Sequence, residues 1–197
     1  MDAVSNLARV ARACLSPRLM HDLCDVLGVP LDRQKAVKLY GEFGALVGIL
    51  PVQTQGTLFD VVEGERPAAI LAAYRYLDAP PMDLVAVRPD EPGKAYTLLG
   101  IANALGQPAI DRARYESVPL LKSQPASLKV HATPLDWLRS GCEGACVLNR
   151  KRTPAILADI DECVTPAAFA PTLHKLLHQD PPHLPQVMVP ESESIAT

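Results

Sequence analysis

Aromatic side chains are scarce in this chain: one Trp, five Tyr and three Phe make up 5% of its residues. A core built on stacked rings is excluded. The 48% of residues that are hydrophobic must pack mainly through Leu, Val, Ile and Ala. Long apolar runs are missing too, since no stretch approaches the roughly 20 residues that a membrane helix requires. The first residues, with Asp2 among them, lack the lysine-rich start and extended apolar centre of a secretory signal. The expectation is a cytoplasmic protein with no membrane contact.

Neither sign of charge dominates. Nineteen Lys and Arg stand against 22 Asp and Glu, for a formal charge of -3. That excludes the overall basicity of a protein coated by phosphate backbones, though not a local basic patch. The five cysteines, Cys14, Cys24, Cys142, Cys146 and Cys163, are odd in number and match no zinc-binding spacing. They read as small buried hydrophobes in a reducing compartment.

Complete catalytic signatures are also lacking. The chain has no Gly-x-Gly-x-x-Gly fingerprint and no Gly-x-Ser-x-Gly elbow. The pair Gly93-Lys94 is not a phosphate loop: the earlier glycine is missing, and Ala95 stands where Ser or Thr would bind Mg²⁺.

What is present is enough chain, 197 residues, for one sizeable domain or two small ones. The pattern predicts an α/β fold, a mixed sheet flanked by helices, with a small helical N-terminal part. Residues 1–55 are expected to form the helical subdomain, 56–190 the α/β domain and 191–197 a flexible polar tail. In the first part, Val4, Leu7, Ala8, Val10, Ala11 and Leu15 fall at helical spacing, with Arg9 and Arg12 toward water. Ser16-Pro17 opens a second helix that stops at Gly28, and a third is expected from Asp32 to Leu46. The second and third helices with their turn resemble a helix-turn-helix unit, which would put Arg33, Gln34, Lys35 and Lys38 on the outer face of the second member. Arg33, Lys35 and Lys38 are the candidate nucleic-acid contacts.

Beyond residue 56 the pattern alternates. Leu58–Val62 and Asp83–Val87 read as strands, Arg66–Leu77 and Lys94–Leu105 as helices, and 107–127 as a connector. The most informative stretch is 128–163. Leu128–His131 alternates as a strand, Thr133-Pro134 supplies an N-cap and first-turn proline, and Gly141 ends the short helix. Ala145–Leu148 and Ala155–Ala158 read as covered strands, Pro166–Leu177 as a helix and Gln186–Val189 as a last strand.

Acids follow three of the predicted strands: Glu63-Gly64-Glu65, Asp90-Glu91, and Asp159-Ile160-Asp161-Glu162. Ligands gather at the carboxyl edge of open α/β sheets, and carboxylates there can hold Mg²⁺ for phosphoryl transfer. Glu63-Gly64 and Asp159-x-Asp161 resemble in part the Toprim domains of primases and topoisomerases, where a Glu-Gly pair ends one strand and an Asp-x-Asp pair a later one. Arg88 stands where that pattern has its first aspartate in the first half, and Ala132-Thr133 where it has Glu-Gly in the second. The resemblance implies Glu63, Asp159 and Asp161 as Mg²⁺ ligands of a nucleic-acid enzyme.

Other polar candidates have simpler readings. His131, alone in a strand, reads as a packed residue; His174 and His178, spaced i, i+4, share a helix face without the glutamate of a zinc protease. Trp137, the single tryptophan, is expected as a core anchor, with a binding hot spot as its second reading. The first functional expectation is therefore a non-enzymatic accessory or adaptor protein without a cofactor. It would act by binding a protein partner, with nucleic acid as a further contact, within nucleic-acid metabolism or a mobile-element system. The alternative is the Mg²⁺-dependent Toprim-like enzyme.

Overall fold

The computed structural model describes residues 3–13, 44–76, 79–91, 93–118 and 125–178, together with 18, 25 and 27–29. The first helix, α1 (Ala3–Ala13), forms where the apolar spacing predicts it and buries Val4, Ala8 and Ala11. Arg12 does not simply face water: its guanidinium donates to the Gly44 carbonyl at 3.1 Å and to the Tyr74 hydroxyl at 2.8 Å. Most of the second and of the third expected helix lies outside the described residues. The third does not reach Leu46, which instead begins a strand.

Five strands close into a barrel in the order β1-β2-β5-β4-β3: β1 (Leu46–Gln55), β2 (Leu58–Val61), β3 (Pro67–Ala73), β4 (Asp83–Val87) and β5 (Tyr96–Thr97). All pairs are antiparallel except β2 with β5. Residues 46–55, expected within the helical N-terminal part, are instead β1 of the barrel. Its interior takes one face of each strand, with Val52, Phe59, Ile70, Leu84 and Tyr96 in a single cluster that α1 joins. A register shift between Leu46 and Gly48 changes which residues of β1 face in. At Gly48 an added Cβ would lie 3.0 Å from the Ala11 carbonyl oxygen, so the missing side chain is what lets α1 approach.

The helix expected at 66–77 is β3. Its run Ala68-Ala69-Ile70-Leu71-Ala72-Ala73 is buried on both faces, and a fully covered strand shows no alternation that would separate it from a buried helix. The helix expected at 94–105 is also absent. Tyr96–Thr97 pairs as β5, a turn follows, and β6 (Ala104–Leu105) belongs to a second sheet.

That sheet has the order β6-β8-β7-β9, with β7 (Ser127–His131), β8 (Ala145–Val147) and β9 (Glu162–Val164). β7 runs parallel to both β8 and β9, and β6 runs antiparallel to β8. The mixed sheet flanked by helices is therefore present, beside a barrel that the sequence pattern did not announce.

The expected connector contains a helix, α2 (Gln107–Glu116), with proline in its first turn. Gly106 is its N-cap at φ 77. The short helix α3 (Pro134–Arg139) forms as expected, with the Asp136 amide donating to the Thr133 hydroxyl. The strand expected at 155–158 is instead part of a turn of helix, α4 (Thr153–Ile156), after a 3-10 turn at Arg150–Arg152. The last described helix is α5 (Ala170–Leu177), shorter at its start than the expected 166–177.

Two further clusters cover the two faces of the second sheet. Ile110, Leu128, Val130, Ile156 and Leu173 pack α2, α4 and α5 on one side of the second sheet. On the other, Leu105, Leu135, Trp137, Leu138 and Cys146 meet the outer face of the barrel through Leu71, Val85 and Val87. Among the described residues, no helix is long and apolar enough to cross a membrane.

Candidate functional site

The best-organised surface feature grows from one buried acid. Asp83 is 0% exposed, and its carboxylate accepts four backbone N–H groups. Leu84 and Leu99 donate to Oδ1 at 2.8 and 2.9 Å, while Ile101 and Ala102 donate to Oδ2 at 3.0 Å each. A carboxylate that takes amide donors from a turn removes them from any helical ladder. This is why residues 98–103 form a fixed turn rather than the expected helix.

The turn carries Leu99 and Ile101 outward at 50% and 47% exposure while Ala102 is buried beneath them. Leu58, at the start of β2 and 44% exposed, adjoins it: a Cβ added at Gly100 would meet the Leu58 Cδ2 at 3.3 Å. The strip continues toward the second sheet. The Asn103 carbonyl accepts the amides of Leu148 and Asn149 at 2.9 and 3.1 Å, and the Asn103 side chain donates to the Ile101 carbonyl at 3.3 Å. Directly after Asn149 come Arg150, Lys151 and Arg152, all exposed. Sequence reasoning missed this surface, although the triplet itself is a visible basic run.

The acids predicted from sequence are placed apart from it. Glu63 is exposed in the turn between β2 and β3. Asp159 is exposed at φ 64 in the loop after α4, so it does not stand at the carboxyl end of a strand. Asp161 precedes β9 and accepts the Ala126 amide at 3.1 Å, while its own amide donates to the Ser117 hydroxyl. It fastens the entries to β7 and β9. Among the described residues, no group of three or more His, Cys, Asp or Glu is placed to hold a metal ion. Glu63, Asp159 and Asp161 therefore do not converge on a Mg²⁺ site.

Asp90 and Glu91 are engaged locally. Asp90 pairs with Arg88 and Arg66, and Glu91 with Lys94 and the Tyr96 hydroxyl. The hydrogen bond from Arg88 lowers the Asp90 pKa, and that from Lys94 lowers the Glu91 pKa.

Trp137 is 4% exposed and donates its indole N–H to the Gly144 carbonyl at 3.1 Å. It is the core anchor, and the reading as a surface hot spot is corrected. His131, 5% exposed, shares a 2.9 Å hydrogen bond with the Glu143 carbonyl, in which the ring N–H must be the donor. His174 and His178 stack with ring centroids 4.1 Å apart, and His178 bonds to the His174 carbonyl. Cys146 is buried, and burial pushes its thiol up to about 12, so it carries no thiolate at neutral pH. Arg33, Lys35 and Lys38 lie outside the described residues.

A cavity of about 240 Å³ opens between α2 and β7. Its rim mixes Arg112 and Lys129 with Glu116 and Glu143, which leaves it no charge preference. No protein-family model, curated protein or solved structure matches the chain.

Proposed function

We propose that this protein is a non-enzymatic adaptor that binds a protein partner through the strip formed by Leu58, Leu99 and Ile101. Single exposed leucines are common on folded surfaces and need no explanation. What supports a binding role is the way Leu99 and Ile101 are held. A buried carboxylate fixes the backbone on both sides of two half-exposed aliphatic side chains. A loop rigid before association loses little entropy on binding, so more of the contact energy remains as affinity.

The experiment is affinity purification of the full chain from its native cell, with quantitative recovery of the bound protein. The comparison is a Leu99→Ser/Ile101→Ser variant of equal melting temperature. Recovery is expected to fall at least about tenfold, as for the loss of two central apolar contacts. A variant that retains its partner in full would overturn the reading.

A further inference from the structure

We infer that the segment received by this strip is acidic and amphipathic, an inference that rests on the binding role proposed above and gives it a partner chemistry. The strip is not uniformly apolar: Asn103 and Asn149 join its aliphatic part to Arg150, Lys151 and Arg152. Those three cations sit on one 3-10 turn, all exposed. None of them forms an ion pair with a described residue, whereas Arg66, Arg88, Lys94, Arg114 and Arg139 each have a carboxylate within 4.0 Å. Three adjacent cations without a counter-charge among the described residues, at the end of a row of aliphatic side chains, match carboxylates beside apolar residues on one face of a peptide.

Nucleic acid fits this surface less well. Single strands are held by aromatic platforms on which bases stack, and duplexes by basic groups that track two rows of phosphates. Here the apolar groups of the strip are Leu58, Leu99 and Ile101, none of them aromatic, and the cations are confined to one end. The strip therefore has a polarity that fixes the direction of a bound peptide.

The probes are a fluorescein-labelled amphipathic Leu/Glu peptide, its Leu/Lys and Ser/Glu counterparts, and a mixed-sequence single-stranded DNA, each titrated against the full-length protein by fluorescence anisotropy. The Leu/Glu peptide is expected to bind at least about tenfold more tightly than the other three, with an affinity that falls as salt rises. Arg150→Glu/Lys151→Glu/Arg152→Glu should reverse the preference between Leu/Glu and Leu/Lys, and Leu99→Ser/Ile101→Ser should weaken both. The three cations touch no other charge among the described residues, so the triple variant is expected to keep its melting temperature. Equal binding of Leu/Glu and Leu/Lys, tighter binding of the DNA, or no binding of any peptide would each overturn the inference. If Leu/Glu and Leu/Lys bind equally and both depend on Leu99 and Ile101, the adaptor reading survives while the acidic partner does not. If the native partner is also indifferent to Leu99 and Ile101, both fail.

Discussion

Asp83 does at the level of one residue what no short motif could announce, because its four donors come from Leu84 and from the turn residues Leu99, Ile101 and Ala102. Asp83→Ala leaves those amides without an acceptor in a dry environment. The expected loss of stability is on the order of 3 kcal/mol, read by urea unfolding. Amide exchange at Leu99, Ile101 and Ala102 should accelerate with it. Asp83→Asn is expected to do nearly the same damage, because its amide group turns two donors toward N–H groups that need an acceptor. Unaltered exchange at the three amides would remove the carboxylate from its role. His131 supplies a separate, pH-dependent contribution. Burial lowers the pKa of its imidazole, the Glu143 carbonyl opposes this, and Lys129 adds to the lowering. The unfolded chain thus takes up the proton first as pH falls. Stability from His131 is complete above the ordinary value near 6.5 and is lost as pH drops from there toward the lower folded value. Between about pH 7.5 and 5.5 the native protein should lose more stability than a His131→Gln variant. Parallel losses in the two would exclude the buried imidazole as the cause.

At the scale of elements, what could be read in advance was whatever carried local chemistry. The Thr133-Pro134 start and Gly141 stop of α3 are such signals, because a side-chain cap and a ring-fixed φ act within a few residues. The strands 58–61, 83–87, 127–131 and 145–147 were visible from short apolar runs or alternation. What was not visible depended on distant partners. β3 is a strand because the barrel interior covers one face and the α3 side of the second sheet the other, and Ala-rich sequence has no preference strong enough to reveal that. The turn at 98–103 is set by an acid 16 to 19 residues earlier. Misplacing the strand at 155–158 had a functional consequence: it set Asp159 and Asp161 at a sheet edge, whereas the strand begins only at Glu162. The aliphatic strip was hidden for a similar reason, since Leu58, Leu99 and Ile101 become neighbours only when β2 closes the barrel against β5.

In the whole molecule the outward face of β3 and β4 serves as floor for the second sheet. Leu71, Val85 and Val87 of the barrel share one cluster with Leu135, Trp137 and Leu138 of α3 and with Cys146 of β8. Neither side can expose its share of that cluster without also exposing the other's, so barrel and sheet are expected to unfold in one transition. Gly106 and Gly144 tighten the second sheet in the same direction: a Cβ at Gly106 would lie 2.1 Å from the Gly144 carbonyl oxygen, and one at Gly144 the same distance from that of Lys129. Leu71→Ala, at a position 0% exposed, tests the coupling. Its cavity should cost about 2–5 kcal/mol, and the loss should be seen equally by Trp137 fluorescence and by amide exchange in β3 and β4. Trp137 lies across the interface from the substitution, so a fluorescence transition that stayed at its native midpoint while the barrel amides lost protection would mean two independent folding units. The binding strip would then bridge a movable joint, because Leu99 and Ile101 hang from the barrel through Asp83 while Arg150, Lys151 and Arg152 follow a strand of the second sheet. A single transition instead keeps the apolar and basic ends of the strip at a fixed separation, which is the condition for recognising one peptide in one direction.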